Sequence, residues 1–256
     1  AWTEMVNRIK NPTKSIKVAV VGKYVELKDA YISIDESIKH AGYHLYTKCD
    51  IDYIQAEDVD VSTLSNYDGI LVPGGFGHRA VEGKINAIEF AREHKIPFFG
   101  ICLGMQTTVI EYARNILGYD GANSTEFDPE TKFPVIDLLP DQKDIENMGG
   151  TMRLGIYPCK LKDGTLAKKL YNEELIYERH RHRFEFNNEF KDAIQAAGLV
   201  ISGSSPDGRL AEIVELPQEV HPFFIAGQFH PEFKTRPNRP HPMFTGFIKA
   251  MLKQDI

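Results

Sequence analysis

The chain has little of what usually declares a protein's setting. Among 256 residues there are three cysteines, Cys49, Cys102 and Cys159, widely scattered and odd in number. A disulfide framework is not expected from them, and a reducing cytoplasm is the natural setting. No Cys-x-x-Cys or His-Glu-x-x-His spacing occurs, so no metal is expected in this domain. The longest apolar runs are strand-sized and no signal peptide opens the chain, which sets aside membrane and secreted readings. A formal net charge of -6 leaves no broad basic surface. With neither a zinc spacing nor an RNA-binding aromatic motif, no nucleic-acid partner is expected. The one basic cluster, Glu178-Arg-His-Arg-His-Arg183, reads as a solvated strand end. Internal repeats and low-complexity tracts are missing as well.

What is present is enough apolar material for one large core, 42% of the residues, with no need of a second independent domain. Short apolar runs at residues 16–21, 51–54, 70–72 and 98–101 predict buried strands, and amphipathic stretches near 31–41, 84–94 and 106–115 predict helices. This alternation argues for an α/β, doubly wound, mainly parallel central sheet with flanking helices and right-handed crossovers. Ligands of such sheets sit at the carboxyl ends of the strands. Past Gly118 a polar, proline-containing stretch runs to Gly150. Strands near 153–161 and 199–203 then predict a small antiparallel extension with one long functional loop. Residues 213–216 and 223–229 return to the core, and 243–252 closes as a helix.

Three of these strands end in chemistry. The run Pro97-Phe-Phe-Gly100-Ile-Cys102-Leu103-Gly104-Met105-Gln106 has the form of a nucleophile elbow with cysteine in place of serine. Gly100 and Gly104 remove bulk around a strained turn, and the thiol sits at a helix N-terminus whose dipole favours thiolate. A second strand ends in Gln228-Phe-His230-Pro231-Glu232, where residues two apart in extended backbone share a face, so the carboxylate can orient the imidazole. Cysteine, histidine and carboxylate together make a nucleophilic triad. A third strand runs into Pro73-Gly74-Gly75-Phe76-Gly77, where the amide of Gly75, with that of Leu103, suits an oxyanion hole. Neither the full Gly-x-Gly-x-x-Gly nor the P-loop pattern is present to make this a phosphate loop.

Together these three motifs resemble the class I, triad-type glutamine amidotransferases. Further stretches, Val20-Val-Gly-Lys-Tyr24, Phe76-Gly-His-Arg79-Ala80-Val-Glu82-Gly-Lys84, Asn147-Met-Gly-Gly-Thr-Met-Arg-Leu-Gly155 and the arginine-histidine run, resemble the glutaminase domains of the CTP synthase family. The resemblance covers nearly the whole chain from Trp2. It implies that Cys102 attacks the side-chain amide of L-glutamine, that His230 protonates the departing ammonia, and that a glutamyl thioester is then hydrolysed. It implies glutamine-binding roles for Gly75, Leu103, Gly104, Met105, Gln106, Glu126 and Arg183. Glu126 would meet the substrate ammonium and Arg183 its carboxylate.

The resemblance further implies a covalently linked synthetase domain that aminates UTP to CTP with ATP and Mg2+, GTP as activator, and no cofactor in the glutaminase domain itself. The full enzyme is expected to be a homo-oligomer and this domain alone a monomer. Arg79 and Glu82 are implicated in the GTP response, against the plainer reading of a solvated salt-bridge pair at a helix start. Ala80 stands where that family commonly has glycine, and its methyl group is expected to keep the backbone out of positive φ. Residues 1–14, polar with a break at Pro12, read as an interdomain linker remnant, and 15–256 as the glutaminase domain. Two other classes compete: a stand-alone γ-glutamyl hydrolase using the same triad, and a non-catalytic regulatory module.

Overall fold

The structure, a computed structural model, describes residues 2–23, 28–75, 78–138 and 152–256. Of the motifs above, Tyr24, Phe76, Gly77 and the stretch 147–151 lie outside the described residues, as does 139–146 of the polar loop.

A nine-stranded sheet in the order β2-β1-β3-β4-β12-β11-β10-β7-β8 organises the chain. Its parallel half comprises β1 (Lys14–Gly22), β2 (Thr47–Gln55), β3 (Gly69–Val72), β4 (Phe98–Ile101) and β12 (Phe224–Gly227). The antiparallel half comprises β7 (Arg153–Leu161), β8 (Leu175–His182), β10 (Val200–Ser204) and β11 (Ala211–Glu215). The expected extension is therefore continuous with the core rather than appended to it. Within the polar stretch, β6 (Pro134–Asp137) pairs with β5 (Asn123–Ser124) on one side and with β9 (Glu185–Phe186) on the other in a second, three-stranded sheet that sequence reading did not foresee.

Alternation along the strands divides the core into two layers. Val18, Val20 and Phe99 face one side, against α2 (Ile32–His44) and α7 (Pro242–Met251); Ala19, Val21 and Phe98 face the other, against α3 (Val81–Glu93) and α4 (Leu103–Asn115). Burying each such phenylalanine contributes about 1.5–3 kcal/mol. Shorter helices α5 (Leu166–Tyr171) and α6 (Lys191–Ala196) cover the antiparallel half. Residues 2–10, within the stretch read as a linker, form surface helix α1 (Trp2–Lys10), held to Tyr46 by Glu4 at 2.8 Å and by Arg8 over its ring.

Helix α4 is buried on all sides from Leu103 to Ala113, so its polar residues need internal partners. Thr107 and Thr108 donate to carbonyl oxygens one turn back, and Glu111 accepts a two-pronged bond from Arg92 of α3 at 2.8–3.2 Å. This staple fixes α4, and with it the elbow.

Strand β4 lies between β3 and β12, which brings the carboxyl ends of all three together. Those ends carry Pro73–Gly75, Cys102 and Gln228–Glu232, the sequence motifs singled out above.

Candidate functional site

Cys102 has φ 53° and ψ -104°, a sparsely populated conformation that costs on the order of 1–3 kcal/mol. The surroundings over-determine it. Its N–H donates to the Gly227 carbonyl at 2.8 Å, and its own carbonyl accepts from Met105 and Gln106 at 2.9 and 3.2 Å. The flanking glycines are required by close approach: a Cβ on Gly104 would stand 2.2 Å from the Val72 carbonyl oxygen, and one on Gly100 2.8 Å from the Ala226 methyl. The expected elbow is thus present, with α4 beginning at Leu103, whose N–H has no acceptor within its own helix.

His230 and Glu232 also meet, by a different route from the one expected. Strand β12 stops at Gly227, and Pro231–Phe233 forms a single 3-10 turn. It is this turn, with Pro231 pre-set at its start, that brings the Glu232 carboxylate within 2.8 Å of His230 Nδ1. Phe233 stacks on the imidazole at 5.2 Å between ring centroids, and the His230 N–H donates to the Arg179 carbonyl at 2.8 Å. Burial alone would discharge this imidazole, yet hydrogen bonds to Cys102 and Glu232 outweigh it and push His230 up to about 10. The imidazole is thus held between the Cys102 sulfur and the Glu232 carboxylate, both of which favour its protonated form.

Gly75, Cys102, Gln106, Glu126 and Arg183 border one cavity of about 280 Å³. Leu103, Gly104 and Met105 do not line it: Gly104 packs on the β3 backbone and Met105 faces the core. A larger cavity, about 500 Å³, lies between Lys162, Thr165 and Glu215 at the far end of the sheet and is lined by neither cysteine nor histidine. The smaller one is the chemically equipped site.

Arg79 and Glu82 do not pair with each other as the plainer reading supposed. Arg79 pairs with Glu57 at 3.0 Å and Glu82 with Arg114 at 2.9 Å, both at the surface and away from the cavity. Ala80 overturns the expectation placed on it, for it adopts φ 67° and ψ 12° directly before α3. An alanine reaches this left-handed region at a cost of roughly 1–2 kcal/mol, which the packing of α3 offsets.

Sequence reading missed Gln228 and His182. Gln106 Nε2 donates to the Phe184 carbonyl at 3.0 Å and to Gln228 Oε1 at 3.3 Å, which turns the Gln228 amide so that its Nε2 donates to Cys102 Sγ at 3.8 Å. Its place in the Gln-Phe-His-Pro-Glu motif was the available signal.

His182 lines the cavity from β8, where strict alternation buries Ile176, Glu178, His180 and His182 and exposes Tyr177, Arg179 and Arg181. The run is therefore not a solvated strand end. Arg179 and Arg181 face out, while histidines face a buried cluster in which Arg153 pairs with Glu212 at 2.9 Å and with Glu185 at 3.2 Å.

Tautomers in this cluster follow from the partners. His182 Nδ1 lies 3.2 Å from the Phe184 carbonyl oxygen, which can only accept, so Nε2 carries the lone pair that receives His180 Nδ1–H at 2.8 Å. His180 Nε2 is then a lone pair 3.7 Å from Glu212 Oε2. Burial, reinforced by the Arg153 charge, pushes His180 down to about 2 and His182 to about 3. Burial also raises Glu212, and holds Glu185 up at about 8 against the pull of Arg153.

Among the described residues no group of three or more His, Cys, Asp or Glu could hold a metal ion, and no helix is long and apolar enough to cross a membrane. All three cysteines are free.

Comparison with known proteins agrees with this geometry. The family described as "Glutamine amidotransferase class-I" matches residues 26–250. The CTP synthase of Caldanaerobacter subterraneus is 59% identical over all of this chain, which covers 48% of that protein. The CTP synthase of Clostridium perfringens is 60% identical over 98% of the chain and is covered to 47%. The chain thus spans about half the length of the curated relatives it matches. The glutaminase domain of Trypanosoma brucei CTP synthase, solved with bound acivicin, is 36% identical with a TM-score of 0.88, covering 94% of this chain and 95% of that one. A glutamine amidotransferase from Thermotoga maritima, 12% identical with a TM-score of 0.52, shares the fold alone over 94% of this chain and 97% of its own. The chain belongs to the class I glutamine amidotransferase family, among the glutaminase domains of CTP synthases.

Proposed function

We propose that this chain hydrolyses L-glutamine to glutamate and ammonia. The observation that carries the reading is a strained Cys102 with the His230–Glu232 pair against it, opening on a cavity bordered by Glu126 and Arg183. The Cys102 thiolate attacks the side-chain amide carbon, forming a C–S bond. As the tetrahedral intermediate collapses, the C–N bond breaks and nitrogen leaves as ammonia with the proton held by the His230 imidazolium. His230, now neutral, takes a proton from water, whose oxygen attacks the thioester carbon, and glutamate departs with the thiolate restored.

Glu232 keeps the imidazole oriented. The amides of Gly75 and Leu103 receive the oxyanion, and Gln228 donates to the sulfur. Glu126 and Arg183 take the substrate's ammonium and carboxylate. Leu103, Gly104 and Met105 serve through backbone and packing.

The length of the relatives supports a linked synthetase portion over a stand-alone hydrolase. The ammonia would there aminate UTP to CTP with ATP and Mg2+, with GTP as activator acting near Arg79 and Glu82. A homo-oligomeric full-length enzyme in the cytoplasm, and a monomeric glutaminase domain when separate, belong to the same reading. The test is glutamate and ammonia release by this chain and by Cys102→Ala, each with and without GTP. Activity present in the first and lost in the second is expected. Activity that survives Cys102→Ala would remove the nucleophile from the scheme.

A further inference from the structure

One buried charge has no part in the mechanism above. Lys84, in the first turns of α3, has its whole side chain buried. Its Nζ donates to the Pro73 carbonyl at 3.4 Å, and among the described residues no carboxylate pairs with it. The ammonium lies against the turn leading from β3 into the cavity: a Cβ on Gly75 would stand 3.7 Å from Nζ. An ammonium taken out of water with a single carbonyl contact is unfavourable unless an anion nearby compensates it.

The charged groups that act on it are Lys23, next after β1, and Cys102 at the end of β4. Of these, Cys102 is the one whose negative form favours the Lys84 charge, while burial and then Lys23 oppose it, leaving the ammonium at about 8 and still protonated at neutral pH. The cost of burying Lys84 thus makes sense if negative charge develops on its cavity side.

Resting on the glutaminase reading, we propose that Lys84 is a positioning residue of the reaction. Its fixed positive charge behind the Pro73–Gly75 turn favours the Cys102 thiolate and the oxyanion derived from it. The side chain acts through the turn and its field and touches no reacting atom. Lys84→Met keeps the length and apolar stem and removes the charge, whereas Lys84→Arg keeps it.

The experiment is site-resolved alkylation of Cys102 by iodoacetamide between pH 6 and 9.5, followed by mass spectrometry. Lys84→Met is expected to slow alkylation about tenfold at pH 7 and to approach wild type as pH rises. Lys84→Arg is expected to stay within threefold of wild type. Glutamine turnover in Lys84→Met should lose kcat with KM changed less than twofold. Superimposable pH profiles for wild type and Lys84→Met would overturn the proposal, and so would equal slowing in the Arg variant. If Lys84→Met does not fold, Lys84→Gln is read by the same criteria. A wild-type Cys102 no more reactive than Cys49, whose thiol burial pushes up to about 12, would instead overturn the glutaminase reading and the inference with it.

Discussion

The two halves of the central sheet bury different mixtures of residue, the antiparallel half adding ionisable groups to its apolar ones. In the parallel half, β1, β3, β4 and β12 present valine, isoleucine, alanine and phenylalanine to both faces, and ionisable groups gather at the strand ends. In the antiparallel half, β8 turns Glu178 inward onto Tyr171 and His241, and His180 and His182 onto the cluster of Arg153, Glu185 and Glu212, while Leu154, Ile156 and Tyr177 of the β7–β8 pair face out. The lesson is that one half is held by area and the other by pairing. Errors in the first cost packing at any pH, whereas errors in the second leave charges stranded and bring pH dependence.

The largest effect expected is at the elbow, where the parallel half carries the site. Gly104→Ala forces a methyl group into the Val72 carbonyl, 2.2 Å away, and should destabilise by about 3 kcal/mol or more or displace α4 and remove activity. Denaturant unfolding together with glutamate release reads both. A Gly104→Ala protein with wild-type stability and turnover would mean the elbow does not approach β3 as described.

Next come paired substitutions, one in each half. Phe99→Ala should cost about 3–5 kcal/mol, equally at pH 6 and pH 8. Arg153→Met removes the guanidinium that pairs with Glu185 and Glu212 and should also cost about 3–5 kcal/mol, but with loss growing toward alkaline pH as the stranded carboxyls ionise. Equal pH profiles for the two variants would erase the distinction.

Histidines separate the halves with opposite signs. His180 and His182 have folded-state values far below 6.5, so below that pH the unfolded chain binds more protons and stability falls as pH drops, by at most roughly 1.4 kcal/mol per pH unit for each. His230 is raised from 6.5 to about 10, so its contribution is fully present below 6.5 and is lost as pH rises through 10. Unfolding midpoints against pH should therefore show His182→Asn gaining on wild type as pH falls below 6.5, and His230→Asn losing most below 6.5 and least above 10. The smallest effect belongs to the surface pair: Glu82→Ala removes the half-exposed Arg114 bridge and should change stability by less than about 1 kcal/mol, measurable in the same melts.

The parallel half was legible because its strands are buried on both faces and so read as apolar runs closed by glycine or by Cys102. Residues 16–21, 70–72 and 98–101 needed no further context, and the cysteine elbow and the histidine motif stood at their ends. The antiparallel half was not legible for a physical reason. The interior of β8 is polar because Arg153 and Glu212, distant in sequence, supply its partners, and no local pattern reports that. Basic residues in alternation therefore looked solvated, and the buried pair His180–His182 passed unnoticed. Ala80 was misjudged because propensity describes a residue alone, whereas the start of α3 overrides it. Gln228 was quoted within its motif, yet its orientation depends on Gln106 from another helix.

Covalent capture of the nucleophile tests the central claim most directly. This chain, incubated with acivicin, the ligand named for the Trypanosoma brucei domain, should gain one adduct at Cys102 by intact and peptide mass. L-glutamine should protect against it, and His230→Asn should slow it at least about tenfold. An unmodified Cys102, or an adduct that forms at Cys49 instead, would contradict the assembled triad on which the reading stands.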